Sequence, residues 1–316
     1  MKEYYVTLFN KLYLPQGLSL FKSLEKVSNN FVLYIVCVDH ETFEIIRNLN
    51  LSKVKLIPLS DYEDFSLKEL KKTRTIAEYC WTLTPLVIEW VFKVNVNIKR
   101  LTYLDADIFF LNSPRPIFEE FEKSEKGVLI TKHAYSPKND YSHITGKFVV
   151  QFIIFERNKG FQILQSWKNE CINWCFDRYE EGKYGDQKYL ESWPSKYPDS
   201  VHILNKESYA MGPWNIERFP YSDCIFYHFH GLKILSNKEL FLGNYKIPIK
   251  PYRYIYLNYA KEIKKIINNL EENGFKILKQ SSKRKIIFTL IKRKLSLLLN
   301  FLKETIALTS FINISK

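Results

Sequence analysis

Two aspartates separated by one residue interrupt an apolar run, RLTYLDADIFFLNSP, at positions 100–114. Leu101, Tyr103 and Leu104 lead in to Asp105, and Ile108, Phe109, Phe110 and Leu111 follow Asp107. On an extended strand, residues two apart point to the same side, so both carboxylates would face one place. Ionised together in a dry place they repel, and one pKa rises. A divalent cation removes that conflict. Hard oxygen ligands of this kind suit Mg2+ or Mn2+, and such an ion can bridge to a diphosphate. The competing reading is an exposed strand end with two solvated charges.

Two further clusters stand out. FYHFHGLK (226–233) brings His228, His230, Gly231 and Lys233 together after an apolar run. Gly231 permits close backbone approach, Lys233 is a point charge suited to phosphate, and one imidazole can complete a metal site. YGDQKYLESWP (184–194) offers Asp186 and Gln187, which accept and donate several hydrogen bonds at once, as sugar hydroxyls require. Asp186 also reads as the N-cap of a helix over QKYLESW. There are only 10 glycines, and neither GxGxxG nor GxxxxGK[ST] occurs. Phosphates would therefore be held by a metal ion or basic side chains instead of a glycine loop.

The elements that must position these residues alternate between strand and helix. YYVTLFN (4–10), FVLYIVCVD (31–39) and VKLIPLS (54–60) read as strands, with helices over LPQGLSLFKSLEKV and HETFEIIRNLN between them. EYCWTLTPLVIEWVFKV (78–94) reads as a longer helix, and LTYLDADIFF as a strand after it. Strands over GVLITKH and KFVVQFIIF (147–155), a helix over about 160–178, and a strand over CIFYHFHGLKIL follow. This alternation predicts an α/β fold around a mostly parallel sheet. In such sheets ligands gather at the carboxyl ends of the strands, which is where Asp105 and Asp107 fall.

The 316 residues are 46% hydrophobic and 16% aromatic, enough for a large core. The net charge is +13, and residues 261–316 hold 13 Lys and Arg against 4 Glu, so about +9 lies in that tail. A folded body that is only mildly basic argues against a nucleic-acid partner. The segment KRKIIFTLIKRKLSLLLNFLKETI carries two basic triplets, 283–285 and 292–294, as an interfacial helix on anionic lipid would, or a packed helix with a solvated basic edge. The division expected is a domain over 1–260 and a basic helical tail over 261–316. Five scattered cysteines, Cys37, Cys80, Cys171, Cys175 and Cys224, suit a reducing compartment and no disulfide framework. The N-terminus is too polar for a signal peptide, and no window of 18 apolar residues occurs. A cytoplasmic protein, free or docked peripherally on the inner face of the membrane, is the location these features predict.

In order and spacing, EYCWTLTP (78–85), YLDADIFF (103–110), GKYGDQKYLESWP (182–194), GPWN (212–215) and HFHGLK (228–233) resemble the GT-A glycosyltransferases. The likeness is to family 8, the glycogenin and bacterial galactosyltransferase-like group, and to uncharacterised bacterial nucleotide-diphospho-sugar transferases. It covers about residues 3–235. The resemblance implies a GT-A domain with a mixed, mostly parallel sheet. It also implies Mn2+ or Mg2+ held by Asp105, Asp107 and His228 on the diphosphate of a nucleotide-sugar donor, UDP first among the nucleotides. Lys233, after Gly231, would touch that diphosphate, and Asp186 and Gln187 would lie beside the donor sugar. Tyr79, Trp81 and Thr82 would line the base or acceptor pocket, unless Trp81 serves ordinary helix packing; Trp214 would stack on a sugar, and His133 would meet the acceptor. The acceptor implied is a saccharide or lipid-linked oligosaccharide of bacterial surface polysaccharide synthesis.

Where family 8 members carry a second aspartate after the Asp-Gln pair, this chain has Lys188, and LKILSNK replaces the usual Lys-Pro-Trp. Retention of configuration is the outcome expected, with Gln187 near the anomeric centre. Inversion would need a carboxylate base, for which Asp140, Asp177 and Asp223 are available. Two other classes compete. A phosphohydrolase of the haloacid dehalogenase type also places D-x-D at a strand end, but needs Thr or Val where Phe109 stands. A non-enzymatic, membrane-docked binding protein would be indifferent to the loss of Asp107.

Overall fold

The computed structural model describes residues 2–276, 280–282, 284, 286 and 311–313. β1 (Glu3–Phe9), α1 (Leu14–Val27), β2 (Phe31–Cys37), α2 (His40–Asn48), β3 (Val54–Pro58), α3 (Phe65–Lys72) and α4 (Ile76–Val94) open the chain. β4 (Arg100–Leu104), β5 (Ile108–Phe110), α5 (Arg115–Ser124), β6 (Val128–Lys132), α6 (Ser142–Thr145), β7 (Phe148–Glu156) and α7 (Phe161–Asn173) follow. Next come α8 (Trp193–Lys196), β8 (Val201–Ile203), β9 (Ala210–Met211) and β10 (Phe226–His228). β11 (Lys233–Ser236), β12 (Glu239–Phe241), α9 (Ile249–Pro251), α10 (Leu257–Glu272) and β13 (Phe311–Asn313) complete the described elements.

A seven-stranded sheet runs in the order β3-β2-β1-β4-β7-β6-β8. β3, β2, β1 and β4 are mutually parallel, and β7 is antiparallel to both β4 and β6. The strands are continuous apolar runs because both faces are covered. Val6 and Leu8 of β1, Tyr34 of β2 and Ile153 and Phe155 of β7 belong to one core with Leu83, Val87 and Val91 of α4 and Leu164 and Trp167 of α7. α4 starts at a capping box, Thr75 with Glu78, and runs through Pro85. At the outer end of β4, Arg100 pairs with Glu3 (2.5 Å) and Glu122 (2.8 Å).

A three-stranded sheet, β5-β10-β9, stands beside the main one. The D-x-D segment is not the extended strand its sequence predicts. β4 ends at Leu104, the chain turns with Ile108 N–H donating to Asp105 O (3.3 Å), and β5 continues in the other sheet. The run CIFYHFHGLKIL likewise divides into β10 and β11, with Gly231 at φ +77° in the turn between them. The aromatic helix expected to about residue 178 stops at Asn173.

The chain divides into two units, Met1–His228 and Phe229–Lys316. Within the second, Phe229 stacks on Tyr259 of α10 (3.6 Å between centroids), and β12 pairs with β11 and β13. The helical pattern of the basic tail, from Lys283 onward, falls almost wholly outside the described residues. No helix among the described residues is long and apolar enough to cross a membrane.

Candidate active site

Three side chains from two elements converge at the end of β4. The antiparallel register of β5 and β10 sets His228 opposite Ile108, beside the turn that carries the aspartates. His228 Nε2 lies 3.0 Å from Asp107 Oδ1 and 3.9 Å from Asp105 Oδ2. One ligand atom from each of the three residues lies within 4.8 Å of the other two. His228 is buried, while the aspartate side chains keep 30% and 18% of their exposure, so one side of the cluster is open to a ligand.

The electrostatics bear on what the cluster could hold. Burial pushes Asp105 up to about 7, the His228 charge opposes this, and Asp107 adds to it. The Tyr103 hydroxyl donates to Asp105 Oδ1 (3.0 Å) and favours the ionised form. Burial works against the His228 cation, but the nearby carboxylates, Asp107 first, raise its pKa overall. Two carboxylates that resist joint ionisation, with an imidazole against them, fit a divalent cation. The two-oxygen, one-nitrogen donor set suits Mn2+ and admits Mg2+.

Gln151, which the sequence reading passed over, is the residue that braces this cluster. It sits in the middle of β7, wholly buried, with Oε1 3.0 Å from His228 Nδ1, and its main-chain oxygen accepts the Asp105 N–H (3.0 Å). Its signal was one amide inside the apolar run KFVVQFIIF. Tyr13 feels the charge of the aspartates. It lies on the turn after β1, 40% exposed, and the surrounding protein and then the Asp107 charge raise its phenol pKa.

Trp214 packs against the cluster, its ring edge-to-face with His228 at 5.3 Å. Its Nε1 donates to His133 O (2.7 Å), and Asn215 Nδ2 donates to the same oxygen (2.9 Å). Gly212 is required here: a Cβ would stand 2.6 Å from the Trp214 ring. GPWN is thus a packed unit that fixes the indole. His133 is buried, stacks on Tyr135 (4.5 Å) and meets Gly146 O through Nδ1 (3.0 Å).

Asp186 is buried near Asp105, and burial followed by the Asp105 charge raises its pKa to about 8. It does not cap a helix. The short turn that follows starts at Lys188, not at Asp186. Its main-chain oxygen accepts from Trp167 Nε1 (2.9 Å). Gln187 Nε2 donates to Thr145 O (3.0 Å), and Lys188, standing where an aspartate was expected, donates to Ser142 O (3.1 Å) and pairs with Glu191 (2.8 Å). The Asp-Gln loop is therefore clamped to the 142–147 segment.

Tyr79 and Thr82 are buried in α4 with other partners. The Tyr79 hydroxyl donates to Glu63 (2.8 Å), and Thr82 Oγ1 donates to Glu78 O (2.7 Å) and accepts from Arg74. Gly231 and Lys233 are exposed and belong to the second unit. Asp140 accepts from Ser142 N–H (2.9 Å), Asp177 from the Tyr184 hydroxyl (2.6 Å), and Asp223 pairs with Lys206 (3.4 Å). All five cysteines are free.

The sheet order and the strand-end site define the GT-A fold, and solved structures agree. Galactosyltransferase LgtC, bound to donor and acceptor sugar analogues, superposes with a TM-score of 0.52 at 11% identity, covering 83% of this chain and 95% of that one. The apo-form glycosyltransferase GlyE of Streptococcus pneumoniae TIGR4 gives 0.51 at 14% identity, covering 89% of this chain and 66% of that one. At these identities the likeness shows the fold alone. No protein-family model matches the chain. By sequence the chain belongs to the family of the uncharacterized protein YfnF of Bacillus subtilis (strain 168). The two are 31% identical over 258 residues, 76% of this chain and 85% of that protein. The uncharacterized YfnD of the same strain is 28% identical over 285 residues, 85% of this chain and 91% of that protein.

Proposed function

We infer that this protein is a metal-dependent glycosyltransferase, moving a sugar from a nucleoside-diphosphate sugar, UDP-linked first, to a saccharide or lipid-linked acceptor. The observation that carries this reading is the Asp105–Asp107–His228 cluster at the strand ends of a GT-A sheet. The donor and acceptor sugar analogues of the LgtC structure support the substrate class. Bacterial surface polysaccharide synthesis is the setting we assign, from the resemblance in the sequence.

Asp105, Asp107 and His228 would hold Mn2+ or Mg2+. That ion supplies Lewis-acid stabilisation of the leaving diphosphate. The chain's own residues do the rest. Trp214 would give an aromatic wall, and Asp186 a buried carboxyl for sugar hydroxyls. Gln187, with Nε2 held by Thr145 O, would offer its amide oxygen to positive charge developing at the anomeric carbon.

Turnover of a panel of UDP-, GDP- and TDP-sugars with and without Mn2+ tests the reading. Release of the nucleoside diphosphate only with metal is expected. Metal-independent release, or dephosphorylation of sugar phosphates in its place, would overturn it and favour the phosphohydrolase class.

The tail charge supports docking on anionic lipid. Replacing Lys283, Arg284, Lys285, Lys292, Arg293 and Lys294 with glutamine is expected to abolish sedimentation with phosphatidylglycerol vesicles. Truncation would be a poorer test, because it removes β13 from its pairing with β12. Unchanged sedimentation would dispose of lipid docking.

A further inference from the structure

An amide in the middle of a buried strand is costly unless both of its ends find partners. Gln151 stands on β7 between Val150 and Phe152, with no exposure. Its side-chain oxygen is 3.0 Å from His228 Nδ1, and its Nε2 lies 3.5 Å from Thr131 Oγ1. The antiparallel pairing of β4 with β7 sets Leu104 opposite Phe152, which brings the Asp105 N–H to Gln151 O at 3.0 Å. One residue thus touches both arms of the cluster, the turn that bears the aspartates and the imidazole that faces them.

The chemistry of this contact is directional. An amide oxygen only accepts, so the hydrogen between Gln151 and His228 sits on Nδ1. That leaves Nε2, 3.0 Å from Asp107 Oδ1, as the nitrogen whose lone pair can face a cation held with the carboxylates. The opposite tautomer would place a proton where the metal must bind.

Resting on the metal reading above, we propose that Gln151 is a positioning residue for a divalent cation: it fixes the tautomer and ring orientation of His228 through Oε1 and the Asp105 turn through its main-chain oxygen. Partners of this kind change metal affinity without touching the metal.

Two variants test this with Mn2+ itself, titrated into the full chain and followed by the electron paramagnetic resonance of the free ion. Gln151→Met keeps the volume and removes the acceptor. It is expected to weaken Mn2+ binding by about 10–100-fold. Gln151→Glu restores an acceptor toward Nδ1, with Thr131 able to donate to its second oxygen, and is expected to bind Mn2+ about as well as the wild type. In Zn2+-loaded protein labelled with 15N-histidine, a slowly exchanging proton on Nδ1 of His228 is expected in the wild type and the Glu variant, and its loss in the Met variant. A Met variant that binds Mn2+ as tightly as the wild type would overturn the inference while leaving the metal site standing. A wild type that binds no Mn2+ would overturn both. Should the Met variant fail to fold, the Glu variant decides: an Nδ1-bound proton supports the assignment, and an Nε2-bound proton contradicts it.

Discussion

Alanine at Asp107 is expected to lower nucleotide-sugar turnover by about 10²–10³-fold, the scale of losing one preorganised electrostatic group at a developing charge. Asp107 Oδ1 is the carboxylate oxygen recorded nearest His228 Nε2, at 3.0 Å, and without it the cation keeps one carboxylate and one imidazole. The fold should survive. The side chain lies on a partly exposed turn, and its charge is one of the influences that raise the Asp105 pKa. Circular dichroism and thermal unfolding alongside the turnover assay separate loss of chemistry from loss of structure. Undiminished turnover in a folded Asp107→Ala protein would remove the residue from the site.

The second large effect concerns Asp186. Its folded pKa of about 8 stands above the usual carboxylate value of 3.8, and Asp105 is raised to about 7. A carboxyl raised on folding keeps its proton in the native state while the unfolded chain has already released it. Metal-free protein is therefore expected to lose stability as the pH rises from about 4 to about 8. His228 contributes with the same sign. Its raised pKa gives stability at low pH that is lost as the pH climbs through the folded value. Asp186→Asn cannot ionise. In EDTA near the top of that range it should melt higher than the wild type, by about 2–4 °C for each kcal/mol relieved. The same change should cost activity, about 2–10-fold if one hydrogen bond between a neutral carboxyl and a sugar hydroxyl is lost. A variant less stable at high pH, or equally active, would contradict this assignment.

The site was legible where chemistry demanded particular residue types. Asp105 and Asp107 inside an apolar run, and His228 after another, were visible because charge in such places needs a reason. What spacing did not reveal was the bend at Ala106, which carries the chain from one sheet to the other. An apolar run on both sides of a turn looks like one strand, and only the pairing of β5 with β10 divides it. Helix α4 was recognised over 78–94 despite Pro85, because its apolar residues recur on helical spacing, and the structure starts it at Ile76. Gln151 escaped because a lone amide carries no charge and no motif. Its meaning comes from a strand pairing and from a histidine 77 positions away. Tyr79 and Thr82 were drawn toward the ligand by family likeness, whereas burial and the partners Glu63 and Arg74 tie them into helix packing.

The most direct test of the account is calorimetric titration of UDP into metal-free protein, repeated with saturating Mn2+ and then with Asp107→Ala. The account predicts binding that requires Mn2+ and is lost in the variant. UDP binding of equal strength in EDTA, and in Asp107→Ala, would contradict a diphosphate site built on Asp105, Asp107 and His228.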